Sequence, residues 1–286
     1  MQSVRDSETG LDAAQQKSLD DSLLGFTLSG VALPEAQKER FRAISQELSQ
    51  LTSRFSDNVL DATNAWTKQI LDVNALAGLP ESALEMAAQT AKQRDMEGWV
   101  ITLQFPSYFP VMTYADNREL RAEVYRAYTT RASELGANAE WDNTQVMCDI
   151  LRLRQEEASL LGYANFAELS LATKMAESPQ QVLDFLEDLA RKSKAFAKTE
   201  FAEIQTFARD QLGLDDVQAW DVGYVSEKMK QARFDFSEED LKPYFPAARV
   251  ISGLFTLVEK LFGVRIEQQA GHIDLWHNDV RFYLVY

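Results

Sequence analysis

The sequence predicts a mainly α fold, a multi-helix lobe carrying a few short β-strands. Three observations lead there. Apolar residues recur at helical spacing through most of the 286 residues. Only 12 glycines and 7 prolines punctuate the chain, too few for a turn-rich β architecture. Runs of β-branched and aromatic residues are confined to about 97–104 and 264–286.

Residues 1–10 are polar and read as a flexible N-terminus. Helical spacing begins near Leu11 and continues through Leu19, Leu23 and Leu24, until Leu28 to Pro34 breaks it. Beyond Pro34, Phe41, Ile44, Leu48, Leu51, Phe55 and Val59 follow at spacings of 3, 4, 3, 4 and 4, which predicts one long helix over 35–65. A short extended piece follows at 67–73, then a helix from Pro80 to about Arg94. Glu97 to Gln104 is the best strand, closed by Pro106, and 107–114 reads as a short helix. Asp116-Asn117 caps the next helix, with Leu120, Val124 and Tyr128 on one face. Further helices are predicted at 142–161, 165–175, 179–212, 221–233 and 247–262. The third opens on Ser178-Pro179, and the last is closed by Gly263. Two strands are expected at 264–266 and 280–286. The organisation is therefore a helical lobe over 11–263 and the start of a small β region over 264–286.

Charge excludes several functions. With 29 Lys and Arg against 44 Asp and Glu, the net charge is −15 and the pI about 4.7. Such a chain is repelled by phosphate backbones and by anionic lipid, so neither nucleic acid nor membrane is an expected partner. No run approaches the roughly 18 apolar residues of a membrane span, and the polar start is unlike a secretory leader. A soluble cytoplasmic protein is expected.

The chemistry-bearing residues are few. Cys148 is the single cysteine; within Val146 to Ile150 it reads as a buried structural thiol. His272 and His277 lie five apart in the extended tail, a spacing that neither a helix nor an alternating strand turns into one face. HExxH, GxxxxGK[ST], GxGxxG and GxSxG are absent, so no catalytic or metal-ligating residue is assigned. Paired carboxylates such as Glu156-Glu157 and Glu238-Glu239-Asp240 read as solvated faces, and Ser237 with Asp240 as a capping box. Pro106 to Tyr114 packs three aromatics and two prolines into a corner expected to be core. Asp116, Asn117, Arg118 and Arg121 are equally a cavity lining or a capped helix start with ion pairs, and no substrate-binding residue is assigned among them.

Gly98-Trp99-Val100-Ile101-Thr102-Leu103, then Pro106 through Arg118, Arg121, and Tyr125 through Ser133 closely resemble the thimet oligopeptidase and neurolysin family of zinc metallopeptidases. The resemblance extends to Phe26–Gly30, Asn58–Thr63, Leu171–Glu177, Tyr224 with Ser226-Glu227-Lys228, Pro243–Pro246 and Trp276-His277, and covers residues 9–286 in order. It implies a mainly α, neurolysin-like lobe forming one wall of a deep channel that admits short peptides. It also implies cytosolic peptide-bond hydrolysis, with oligopeptides as the partners. The resemblance implies zinc as well, held by an HEFGH-type helix and a later glutamate that no position here matches. The cofactor of this chain is accordingly none, with zinc expected in the full-length family protein. The chain reads as a truncated region, inactive alone, whose partners are the missing catalytic half or a second copy. A standalone helical peptide-binding protein, or one half of a split peptidase, remains the alternative.

Overall fold

The computed structural model describes residues 1–7, 10–269, 275–277 and 279–286. His272 lies outside the described residues. The chain divides into two compact units, Met1–Ser226 and Glu227–Tyr286.

The first unit opens with α1 (Gln2–Ser7), so that part of the N-terminus expected to be irregular is a short helix. α2 (Ala13–Leu28) follows, started by an Asp12–Gln15 capping box. α3 (Glu35–Ala65) begins directly after Pro34, as its apolar spacing predicts. The extended piece is β1 (Thr67–Ile70), then come α4 (Glu81–Gln93) and β2 (Trp99–Thr102). β1 and β2 pair antiparallel, from Thr67 opposite Thr102 to Ile70 opposite Trp99. Gly98, immediately before β2, has φ +78, and a Cβ there would sit 2.3 Å from the Ile70 carbonyl oxygen, so only glycine fits the close approach.

α5 (Phe105–Tyr114) starts two residues earlier than expected and contains Pro110. α6 (Arg118–Thr130) is capped by the Asn117 side chain, which accepts from the Leu120 N–H at 3.1 Å. The core lies between β2, α4, α5 and α6, around Ile101, Leu103, Val111, Leu120 and Val124. Aromatic packing at the corner divides: Tyr114 is buried and Tyr108 stacks on Tyr128 at 3.9 Å, while Phe105 and Phe109 stack on each other in solvent.

α7 (Thr144–Leu160) lies along α3. Asn58 donates to the Asn143 side chain at 2.9 Å, and Asn143 donates to the Phe55 carbonyl at 3.1 Å. Arg40 makes two 2.5 Å hydrogen bonds to Glu156 further along. α8 (Phe166–Leu171) is shorter than the 165–175 expected, and α9 (Pro179–Leu212) spans its predicted range, ending on Gly213 at φ +66. Of its 34 residues only Ala208 is buried, in a small cluster with Tyr224 and Val225. Leu183, Phe185, Leu186, Leu189 and Phe196 are all exposed. α10 (Val222–Phe234) begins in this unit and ends in the second.

In the second unit, Ser237 and Asp240 form the expected capping box. α11 (Ala247–Phe262) stops at Gly263 in the left-handed conformation. β3 (Ile266–Gln268) and β4 (Tyr283–Val285) pair antiparallel, flanked by the Arg265–Tyr286 backbone pair at 3.0 and 2.9 Å. An edge contact of Phe255 with Tyr283, at 4.8 Å, holds β4 against α11. β3 is as long as the expected 264–266 but lies two residues later, and β4 is shorter than the 280–286 run that predicted it.

Candidate functional site

The polar run at the start of α6 forms a closed ionic cluster in the first unit. Asp221, completely removed from solvent, lies just before α10. Arg121 donates to one of its oxygens at 2.7 Å, and Arg118 donates to the other through Nε at 3.0 Å and Nη2 at 2.7 Å. The Gln218 N–H adds a fourth donor at 3.0 Å. Burial pushes the Asp221 carboxyl up, but the hydrogen bonds from Arg118, Arg121 and Gln218 outweigh it and hold it below the usual carboxylate range. Tyr224 donates to Asp116 at 2.8 Å while the Arg121 guanidinium lies 4.0 Å over its ring. Burial first, and that hydrogen bond second, push the Tyr224 phenol up to about 12. Arg121 also donates to the Ala115 carbonyl at 2.6 Å. The four tempting residues are therefore a helix cap and an ion-pair lattice. Apart from the buried Arg121 Nε, which has no acceptor, the arginine donors go to Asp221 and to the Ala115, Asp116 and Asp216 carbonyls, so the cluster positions backbone.

A separate concavity lies elsewhere in the first unit. A cleft of about 500 Å³ lies between the last turn of α3, the start of β1, one face of α6 and the loop 131–141. Small side chains make the room: Ala62 and Ala65 from α3, Ala127 from α6, and Ala132 and Gly136 from the loop. Trp66 and Trp141 form its aromatic edges. The loop is pinned at both ends, by Ser133 Oγ to the Thr130 carbonyl at 2.7 Å and by the Asn143 N–H to the Ala132 carbonyl at 3.1 Å.

Charge in this cleft runs against the chain's. Glu123 is neutralised by Lys68, which donates to both carboxylate oxygens at 2.8 and 3.0 Å. Arg126 has no ion pair or side-chain hydrogen bond among the described residues. Arg131 lies 3.7 Å over the Tyr128 ring and donates to the Tyr128 carbonyl, with no carboxylate partner and a buried Nε that has no acceptor. Two guanidinium groups without a carboxylate partner among the described residues thus line the cleft, beside the Glu123–Lys68 pair, Thr67, Thr130, Asn138 and apolar side chains.

The remaining sequence candidates are dispersed. Cys148 is exposed, contrary to expectation. Val146 and Ile150, four apart on α7, face inward, and the intervening Met147 and Cys148 are rotated to solvent. Glu156 is engaged by Arg40, and Glu157 is partly buried, which raises its carboxyl, so neither is a freely solvated carboxylate. His277 accepts the Asp279 N–H at 3.2 Å and is exposed. Among the described residues no three of His, Cys, Asp and Glu come together as metal ligands, so the donor set does not fit a zinc site. No helix among them is long and apolar enough to cross a membrane. Sequence reasoning missed the cleft. Its two arginines fall within the 125–133 run that carried the resemblance, but nothing in their spacing marks a cavity.

Comparison with known proteins gives a consistent picture. The model of Peptidase family M3 matches residues 111–286. The chain is 49% identical over 277 residues to oligopeptidase A of Escherichia coli, covering 96% of this chain and 41% of that protein. It is 51% identical over 271 residues to oligopeptidase A of Haemophilus influenzae, covering 94% and 40%. Saccharolysin of Saccharomyces cerevisiae is 26% identical over 292 residues, covering 98% and 39%. The chain spans about two-fifths of the length of these curated relatives.

Proposed function

Since the chain belongs to peptidase family M3, we propose that it forms a wall of the substrate channel in a zinc-dependent oligopeptidase that hydrolyses short peptides. The observation that carries this reading is the 49% identity to oligopeptidase A maintained over 96% of the chain. No residue of this chain is a zinc ligand in this reading. Residues outside the chain hold the metal, which when bound activates water and polarises the scissile carbonyl. What this chain contributes is shape. The β1–β2 pair, α5 and α6 form a rigid corner, fastened to the start of α10 through Asp221, against which long helices are presented. Residues 11–263 serve as the helical lobe and 264–286 as the beginning of a small β region. Oligopeptides are the partners of the whole enzyme and the cytoplasm its compartment; the uncovered apolar faces of α9 and α11 favour association with the catalytic part or with a second copy.

Two measurements test the reading. The purified chain, given zinc and a quenched fluorescent oligopeptide, should show no turnover; chelator-sensitive turnover would mean that it binds its own metal. Second, these residues should replace the matching 277 residues of Escherichia coli oligopeptidase A with peptide cleavage retained. A folded, zinc-loaded chimera that cleaves nothing would sink the proposal.

A further inference from the structure

We draw no further inference here: the strongest candidate, the cleft between α3, α6 and the loop 131–141, sets the guanidinium groups of Arg126 and Arg131 against two helix C-termini and against Glu134 and Glu140 of its own loop, so that nothing in the structure shows which charge, and hence which ligand, it would hold.

Discussion

Arg121 donates to Asp221 at 2.7 Å, both side chains sealed from water, across one hundred residues of sequence. Neither charge is tolerable there alone, since stripping a buried ion of its partner costs several kcal/mol. The pair therefore couples the turn between α5 and α6 to the start of α10, and neither segment can leave without exposing the other's charge.

Removing the carboxylate should be severe. Asp221→Ala leaves Arg121 buried without its anion and should lower unfolding free energy by about 3–5 kcal/mol in urea denaturation. The pH dependence has a definite sign. Because the folded carboxyl is held below its unfolded value, its contribution is complete above the unfolded carboxylate range and lost as pH falls through the lower folded value. The wild-type chain should accordingly lose stability in acid more steeply than Asp221→Asn.

Tyr224 acts at the other end of the scale. Its folded phenol titrates at about 12 against about 10 in an unfolded chain, so the folded state keeps a proton that the unfolded state releases. Stability is fully present below about pH 10 and declines between there and 12, by about 2–3 kcal/mol. Tyr224→Phe should remove that alkaline decline and cost about 1 kcal/mol at neutral pH through its lost hydrogen bond to Asp116. Urea titrations at a series of alkaline pH values distinguish the two chains.

Asn143 is buried at the start of α7, donating to the Phe55 carbonyl and accepting from Asn58. Asn143→Ala leaves the Phe55 carbonyl and the Asn58 amide without that partner, which should cost about 2–3 kcal/mol. The double variant with Asn58→Ala should cost less than the sum of the single changes, as a double-mutant cycle would read.

The exposed thiol offers a simple check. Cys148 should react completely with a thiol reagent in the native chain, at a rate close to that in denaturant. Protection of the native thiol would contradict the orientation of α7 described above.

What the sequence made legible was local. The long stripe from Phe41 to Val59 specified α3, Ser178-Pro179 specified the start of α9, and Gly263 the end of α11, because caps and periodicity act over a few residues. Asp221 could not be read as the partner of Arg118 and Arg121, since an ion pair between segments a hundred residues apart leaves no periodic trace. Cys148 was misread because an apolar run seems uniform along the chain, whereas 100° of helical rotation per residue separates Val146 and Ile150 from their neighbours. The cleft is a gap left by alanines, and alanines are equally at home in any helix.

The exposure of α9 has a consequence for amide hydrogen exchange. Its C-terminal turns pack through Ile204, Phe207 and Ala208 against Tyr224 and Val225 and its start touches α8, whereas the turns near 183–200 are largely exposed and rest on hydrogen bonds within the helix and on ion pairs such as Lys192 with Asp188 at 2.5 Å. A helix without packing is marginal in water. In the free chain, amides near 182–200 should exchange through local opening at low free energy, while those near 204–212 exchange only with the larger unit. One continuous helix would then carry two protection levels, and any protein seated on its apolar stripe would register as slowed exchange in the first segment alone.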